Sequence, residues 1–470
     1  MFFDSTVYVV FLTFVLLVYW QLNRRGQNYF LLASSYFFYG WWDWRFLFLM
    51  GASTLVDYFA ARGIDSASST TRRRLLLACS LTLNFGFLGF FKYFNFFLES
   101  FAHVAQVLGM GTVPAMVWKI VLPPAISFYT FQEVAYIVDV YHRKLRPAKS
   151  LVDYALFVSL FPHLIAGPIQ RPSHLLPQVQ QQRVWNASTV FDGMLLVIEG
   201  LFRKVVIADN CALIANAAFS GNLGTPSTIS VLLGTYAFAW QIYGDFSGYS
   251  SIARGSAQLL GFHFMVNFRQ PYLAQSLQDF WRRWHISLSS WLRDYLYIPL
   301  GGNRRGRVRT YFNLMVTMLL GGLWHGANWT FVIWGGIHGA GLTSERLVFG
   351  SAEIPPANGM VVRWVRRAVI FNVVCLAWIF FREPSLHDAF AALSGLAHWN
   401  WQSAYIPAIE FLTAFAMLLF LLDLKLETSG TEYLFQDQSL ICRVATGLGL
   451  SVLLALLGAN QANAFIYFRF

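Results

Sequence analysis

Charge is scarce in this chain, and it comes in short bursts between long apolar runs. Only 12% of the 470 residues are Asp, Glu, Lys or Arg, while 56% are hydrophobic. A soluble domain carries about 25% charge, and so few charged side chains leave too much apolar surface facing water. The chain therefore reads as a polytopic membrane protein. Its unbroken apolar runs suit helices rather than the alternating segments of an outer-membrane barrel. The 34 basic residues outnumber the 23 acidic ones, but they cluster in short loops between apolar spans. The positive-inside rule accounts for that pattern without nucleic acid as a partner. Cys79, Cys211, Cys375 and Cys442 are far apart and form no CxxC pair, so they read as small buried hydrophobes.

Three basic clusters orient the first third of the chain. Arg24 and Arg25, then Arg72, Arg73 and Arg74, then Arg143, Lys144 and Arg146 all fall on one side if the N-terminus is extracytoplasmic. Spans at 7–22, 29–42, 46–61, 75–91 and 117–141 connect them. The first run follows Asp4 without a basic leader or a small-residue cleavage site, and is expected to be a retained anchor. Beyond residue 150 the pattern turns irregular, with Pro162, Pro168, Pro172 and Pro177 breaking a short apolar stretch. Such backbone survives at membrane depth only inside protein or along a cavity. The expectation is an all-α membrane protein of about 10–12 transmembrane helices. Re-entrant and amphipathic helices would surround a funnel or tunnel, in one membrane-embedded domain over residues 1–470.

Residues 269–309 stand apart. Eight arginines, among them Arg282 and Arg283, are interleaved there with Trp281, Trp284, Trp291, Tyr295 and Tyr297. Basic, tryptophan-rich helices of this kind lie at the cytoplasmic face. They would anchor lipid headgroups, or form a basic mouth for an anionic substrate such as the phosphates of a coenzyme. His285 falls inside the segment, and His325 follows forty residues later. If residues 309–325 are helical, His325 stands about 24 Å from Arg309, well inside a core about 30 Å thick. An ionisable residue at that depth is a functional candidate by default. His338, between Gly336 and Gly339, reads as polar glue between close-packed helices.

No HExxH, GxSxG or Walker-type loop is present, and no carboxylate or thiolate stands at ligand spacing from the histidines. No metal is therefore expected. A neutral imidazole in a dry tunnel can take the proton of an acceptor hydroxyl as its oxygen attacks an acyl carbonyl. His285 or Asn328 would orient the acceptor or stabilise the oxyanion. These residue types alone leave proton relay open beside acyl transfer. Asp245, Ser247 and Tyr249 either line the tunnel wall or cap a helix start.

The stretch Trp324-His325-Gly326, with Phe280-Trp281-Arg282-Arg283-Trp284-His285 upstream, closely resembles the membrane-bound O-acyltransferase family. Gly167-Pro168-Ile169-Gln170-Arg171, Tyr243-Gly244-Asp245-Phe246-Ser247 and Phe465-Ile466-Tyr467-Phe468-Arg469-Phe470 are similar to its bacterial, alginate O-acetylation branch. The resemblance implies catalytic roles for His325 and His285. It also implies acetyl-CoA as the donor, with no permanently bound cofactor, and Trp281 and Arg283 near that donor. The enzyme would sit in the inner membrane against lipid, hand acetyl groups to an extracytoplasmic acetyltransferase partner, and serve an exported polysaccharide. D-alanyl or other acyl transfer to a cell-wall polymer is the neighbouring possibility.

Overall fold

The computed structural model describes residues 1–110, 118–165, 167–350, 354–459 and 465–466. Every regular element among them is helical. By contact the chain divides into two compact units, residues 1–191 with 256–265, and residues 192–255 with 266–470.

The first unit begins with α1 (Thr6–Tyr19), α2 (Arg24–Gly40) and α3 (Arg45–Ser66), followed by a helix over Thr70–Val107 (α4) and then α5 (Ile126–Tyr141). The span expected at 117–141 is thus shorter, and Val117 lies outside the described residues. Lys92 falls in a π-helical turn at Gly89–Tyr93 inside α4. The proline-rich stretch forms short pieces, Leu151–Ser159, Phe161–Leu164 and Pro172–Gln180. None of these is long enough to cross a bilayer, as the proline spacing predicts. Arg183 fastens this unit through hydrogen bonds to Tyr19 at 2.9 Å, to Asn28 at 2.6 Å and to the Val179 carbonyl at 2.9 Å.

The second unit carries α6 (Ala187–Leu201), whose chain continues through a π-helical stretch, Phe202–Ala208, into α7 (Asp209–Phe219). The 32-residue helix α8 (Thr228–Leu259) follows. Two seven-residue helices, α9 (Leu277–Arg283) and α10 (Ile286–Leu292), lead to the hairpin α11 (Arg307–His325) and α12 (Trp329–Phe349). Three apolar helices close the chain: α13 (Met360–Arg382), α14 (Tyr405–Ser429) and α15 (Leu440–Leu457).

Among the described residues four helices, α4, α13, α14 and α15, are apolar and long enough to cross a membrane by themselves. Others, such as α12 with 21 residues, reach about 30 Å but carry polar groups turned into the protein. α8 carries buried polar residues that charged partners on neighbouring segments meet. Glu199 bonds Arg203 at 2.9 Å, and Tyr243 donates to Asp423 at 3.0 Å. Lys204 lies 2.8 Å from both Asp209 and Asp245. Matched charges of this kind are what let a helix carry ionised groups through an apolar interior.

Candidate functional site

The site is built from the turn of the α11–α12 hairpin and the break between α9 and α10. His325 is the last residue of α11. Gly326 then turns the chain tightly, since a Cβ there would lie 2.1 Å from the Phe331 ring. Asn328 caps α12 by accepting the Thr330 N–H at 3.0 Å, and its Nδ2 donates to the Pro384 carbonyl at 2.8 Å. The two helices pack backbone to backbone, for a Cβ on Gly335 would stand 2.2 Å from the Met318 carbonyl. This approach sets Trp334 of α12 edge-on to His325, with centroids 5.1 Å apart. His325 is 4% exposed and also meets the Phe381 ring at 5.3 Å.

His285 is fully buried and adopts a left-handed backbone, φ 42° and ψ 53°, at the junction of α9 and α10. Such a conformation costs energy for a non-glycine residue and persists only where its surroundings enforce it. Asn267 supplies that enforcement. Its carbonyl accepts the Ile286 N–H at 2.9 Å, and its Oδ1 accepts from Ser287 Oγ at 2.9 Å. The same Oδ1 lies 3.1 Å from His285 Nδ1. An oxygen that already accepts requires Nδ1 to donate, which assigns the lone pair of the neutral ring to Nε2. The rings of His285 and His325 come to 6.3 Å, with Trp324 beside both, at 5.9 Å and 5.1 Å.

A cavity of about 430 Å³ is lined among others by Trp281, Arg282, Arg293, Met318, Leu342 and Arg346, and by Ile286, the residue after His285. Helical spacing ties it to the histidines. Leu314 and Met318 line the cavity on α11, and His325 lies seven residues past Met318 on the same stripe. On α12, Arg346 and Leu342 line it, and steps of four lead through His338 to Trp334.

The residues singled out from sequence are therefore spread over three settings. His285, His325 and Trp281 belong to the site and its cavity. Asn328 holds the turn that aims His325. Arg283 is in neither group: its guanidinium binds Glu427 at 2.7 Å and Asp279 at 2.7 Å. Burial opposes its charge, but those two carboxylates outweigh burial and raise its pKa above the ordinary value. Arg282, one residue earlier, is the one that lines the cavity, because neighbours on a helix point about 100° apart.

Asp245 and Ser247 lie inside α8 rather than at a helix start, so neither caps one. Asp245 bonds Lys204 and accepts the Ile466 N–H at 2.7 Å. Tyr249 stacks on Phe465 at 4.3 Å. Phe246, between them, touches both Phe465 at 5.9 Å and His285 at 4.7 Å. The end of the chain thereby backs the wall behind His285, while residues 467–470 lie outside the described residues. Asn267, Trp334 and Lys204 escape sequence reasoning. Only Lys204, a cation inside an apolar run, carried a usable signal. Among the described residues no group of three or more His, Cys, Asp or Glu is placed to hold a metal.

A family model, membrane-bound O-acyltransferase, matches residues 6–385. A probable alginate O-acetylase of Pseudomonas syringae pv. tomato is 42% identical over 85% of this chain and 76% of that protein. A peptidoglycan O-acetyltransferase of Helicobacter pylori is 34% identical over 98% of this chain and 95% of that protein. A teichoic acid D-alanyltransferase of Bacillus subtilis is 28% identical over 56% of this chain and 69% of that protein.

Proposed function

Because the chain belongs to the membrane-bound O-acyltransferase family, and so is a membrane enzyme that transfers acyl groups to oxygen, we propose that it draws acetyl groups from cytoplasmic acetyl-CoA for O-acetylation of an exported polysaccharide. Alginate is the acceptor favoured by the relatives at 42% identity. The carrying observation is the meeting of His285 with His325, the residue to which the α11 stripe leads from an arginine-bearing cavity. Arg282, Arg293 and Arg346 give that cavity the charge to hold a coenzyme's phosphates.

His325 takes the proton from an acceptor hydroxyl, and the hydroxyl oxygen attacks the thioester carbonyl carbon. As the C–S bond breaks, the acetyl group passes to oxygen and the departing thiolate receives the proton from the imidazolium. His285, whose Nδ1–H donates to Asn267 and whose Nε2 carries the lone pair, accepts from the acceptor hydroxyl and orients it. The acceptor hydroxyl belongs to an extracytoplasmic acetyltransferase partner, whose acetyl ester is then cleaved as a polymer hydroxyl takes the acetyl group and the partner's hydroxyl is restored. The protein lies in the inner membrane with its N-terminus outside, an orientation supported by the three basic clusters. An alkaline phosphatase fused at the N-terminus is then active, and an inactive fusion would reverse the orientation.

A second acceptor, peptidoglycan, has one observation in its favour. The Helicobacter pylori relative matches across nearly the whole of both chains. Ester-linked acetate measured on alginate and on peptidoglycan, in cells with wild type or His325→Ala, separates these readings. Loss from alginate alone supports the first, and loss from peptidoglycan alone the second. Unchanged acetate on both polymers, with a normally produced variant, overturns the acetyl-transfer reading.

A further inference from the structure

His338 lies in α12, 1% exposed, and neither of its ring nitrogens has a hydrogen-bond partner among the described residues. Polar glue between helices, the role its sequence context suggested, needs such a partner. The ring stacks on Phe280 at 5.9 Å with 7° between planes, and meets Trp281 at 5.2 Å and Trp334 at 4.9 Å. A phenylalanine would fill the same aromatic slot. It would avoid the cost of burying polar groups that are left unmet. A histidine here is therefore expensive unless something binds it.

Its position says what that is. In steps of four along α12, Arg346 and Leu342 line the cavity, His338 comes next, and Trp334 then touches His325. Trp281 lines the cavity and contacts His338 directly. His338 thus stands on the stripe between the arginines that suit phosphates and the histidine that suits the acyl group. A ligand joining those two points runs past it. A neutral imidazole offers one donor and one acceptor, the complement of an amide's C=O and N–H.

We propose that His338 binds the acyl donor by hydrogen bonds to an amide in the arm between its phosphates and its thioester. This rests on the acetyl-CoA reading above and adds a recognition residue to it. It predicts that the enzyme distinguishes thioesters with an amide-bearing arm from those without one.

The test is release of free thiol by the full-length protein in lipid vesicles, with acetyl-CoA and with the amide-free S-acetyl-2-mercaptoethanol as donors. His338→Phe keeps the aromatic packing and is expected to raise KM for acetyl-CoA about tenfold, with kcat within about twofold. It leaves kcat/KM for the amide-free donor unchanged, and His338→Gln, which keeps a donor and an acceptor, restores most of the loss. If His338→Phe does not fold, His338→Leu and His338→Gln carry the same comparison. An unchanged KM for acetyl-CoA in a folded His338→Phe or His338→Leu protein, or an equal loss on both donors, overturns the proposal. Wild type that releases no thiol from acetyl-CoA overturns the donor reading itself, and this proposal with it. Turnover by wild type with an indifferent His338 variant overturns this proposal alone.

Discussion

In the unit formed by residues 1–191 and 256–265, the buried acids Asp57 and Glu133 meet neutral groups. Ser80 and Asn84 donate to Asp57, while Ser53 and Thr54 donate to Glu133 at 3.1 Å and 3.2 Å. Among the described residues no Lys or Arg forms an ion pair with either acid. In the unit formed by residues 192–255 and 266–470, buried acids face buried cations: Glu199 and Asp423 face Arg203, and Asp209 and Asp245 face Lys204. The histidine site lies in this second unit. The matched charges bear on its walls, for Tyr243 bonds Asp423 and touches Trp284, the residue before His285. A site that must hold two imidazoles in place gains from a framework whose charges fix the register of several helices.

The contrast can be broken or sharpened experimentally, and His325→Ala has the largest expected effect. Acyl transfer falls by about 10²–10⁴-fold while the melting transition of the purified protein moves less than on loss of a framework charge, because His325 packs on the rings of Trp334 and Phe381 rather than in an ion pair of that framework. A variant that loses its fold along with its activity would instead make His325 part of that framework.

Next in size is Lys204→Met, which leaves Asp209 and Asp245 together without their cation. Breaking a buried pair in this way costs about 3–5 kcal/mol, seen as a large drop in thermal stability before any assay of activity. A drop under about 1 kcal/mol would mean that the network does not carry the second unit.

Arg282 and Arg283 make a smaller and more local test. Arg282→Ala is expected to raise KM for acetyl-CoA a few-fold, about the effect of one exposed charge, with stability unchanged. Arg283→Ala, which takes the nearer cation from Glu427 and leaves it only Arg367 at 3.7 Å, lowers stability and leaves KM near wild type. Exchanged outcomes would return Arg283 to the donor mouth.

The smallest effect belongs to Glu133→Gln. The amide keeps an oxygen for Ser53 and Thr54, so unfolding shifts by less than about 1 kcal/mol. A penalty as large as that of Lys204→Met would erase the difference between the units.

The particular residues explain how far the sequence reached. Two histidines in apolar, tryptophan-rich contexts could be singled out because ionisable groups are costly in a membrane, and that cost is a property of composition. The α11 stripe was legible for the same kind of reason, since helical spacing alone carries His325 away from Arg309. Which of two adjacent arginines lines the cavity was not legible, because they look alike in one dimension and only the facing Glu427, 144 positions from Arg283, separates them. Asn267 gave no signal: an asparagine in a loop becomes the partner of His285 only when the chain folds back across it.

The sequence by itself determined that this is a helical membrane protein, and it marked the histidine motifs as candidates for its chemistry. Hydrophobicity, charge and helical period act locally and need no fold to be read. The tertiary structure alone decided which buried charges meet, which arginine reaches the cavity, and that His285, His325 and His338 share one aromatic-walled region. Those facts depend on distances between residues far apart in the chain, set by backbone approaches such as Gly335 against Met318 that no local pattern encodes.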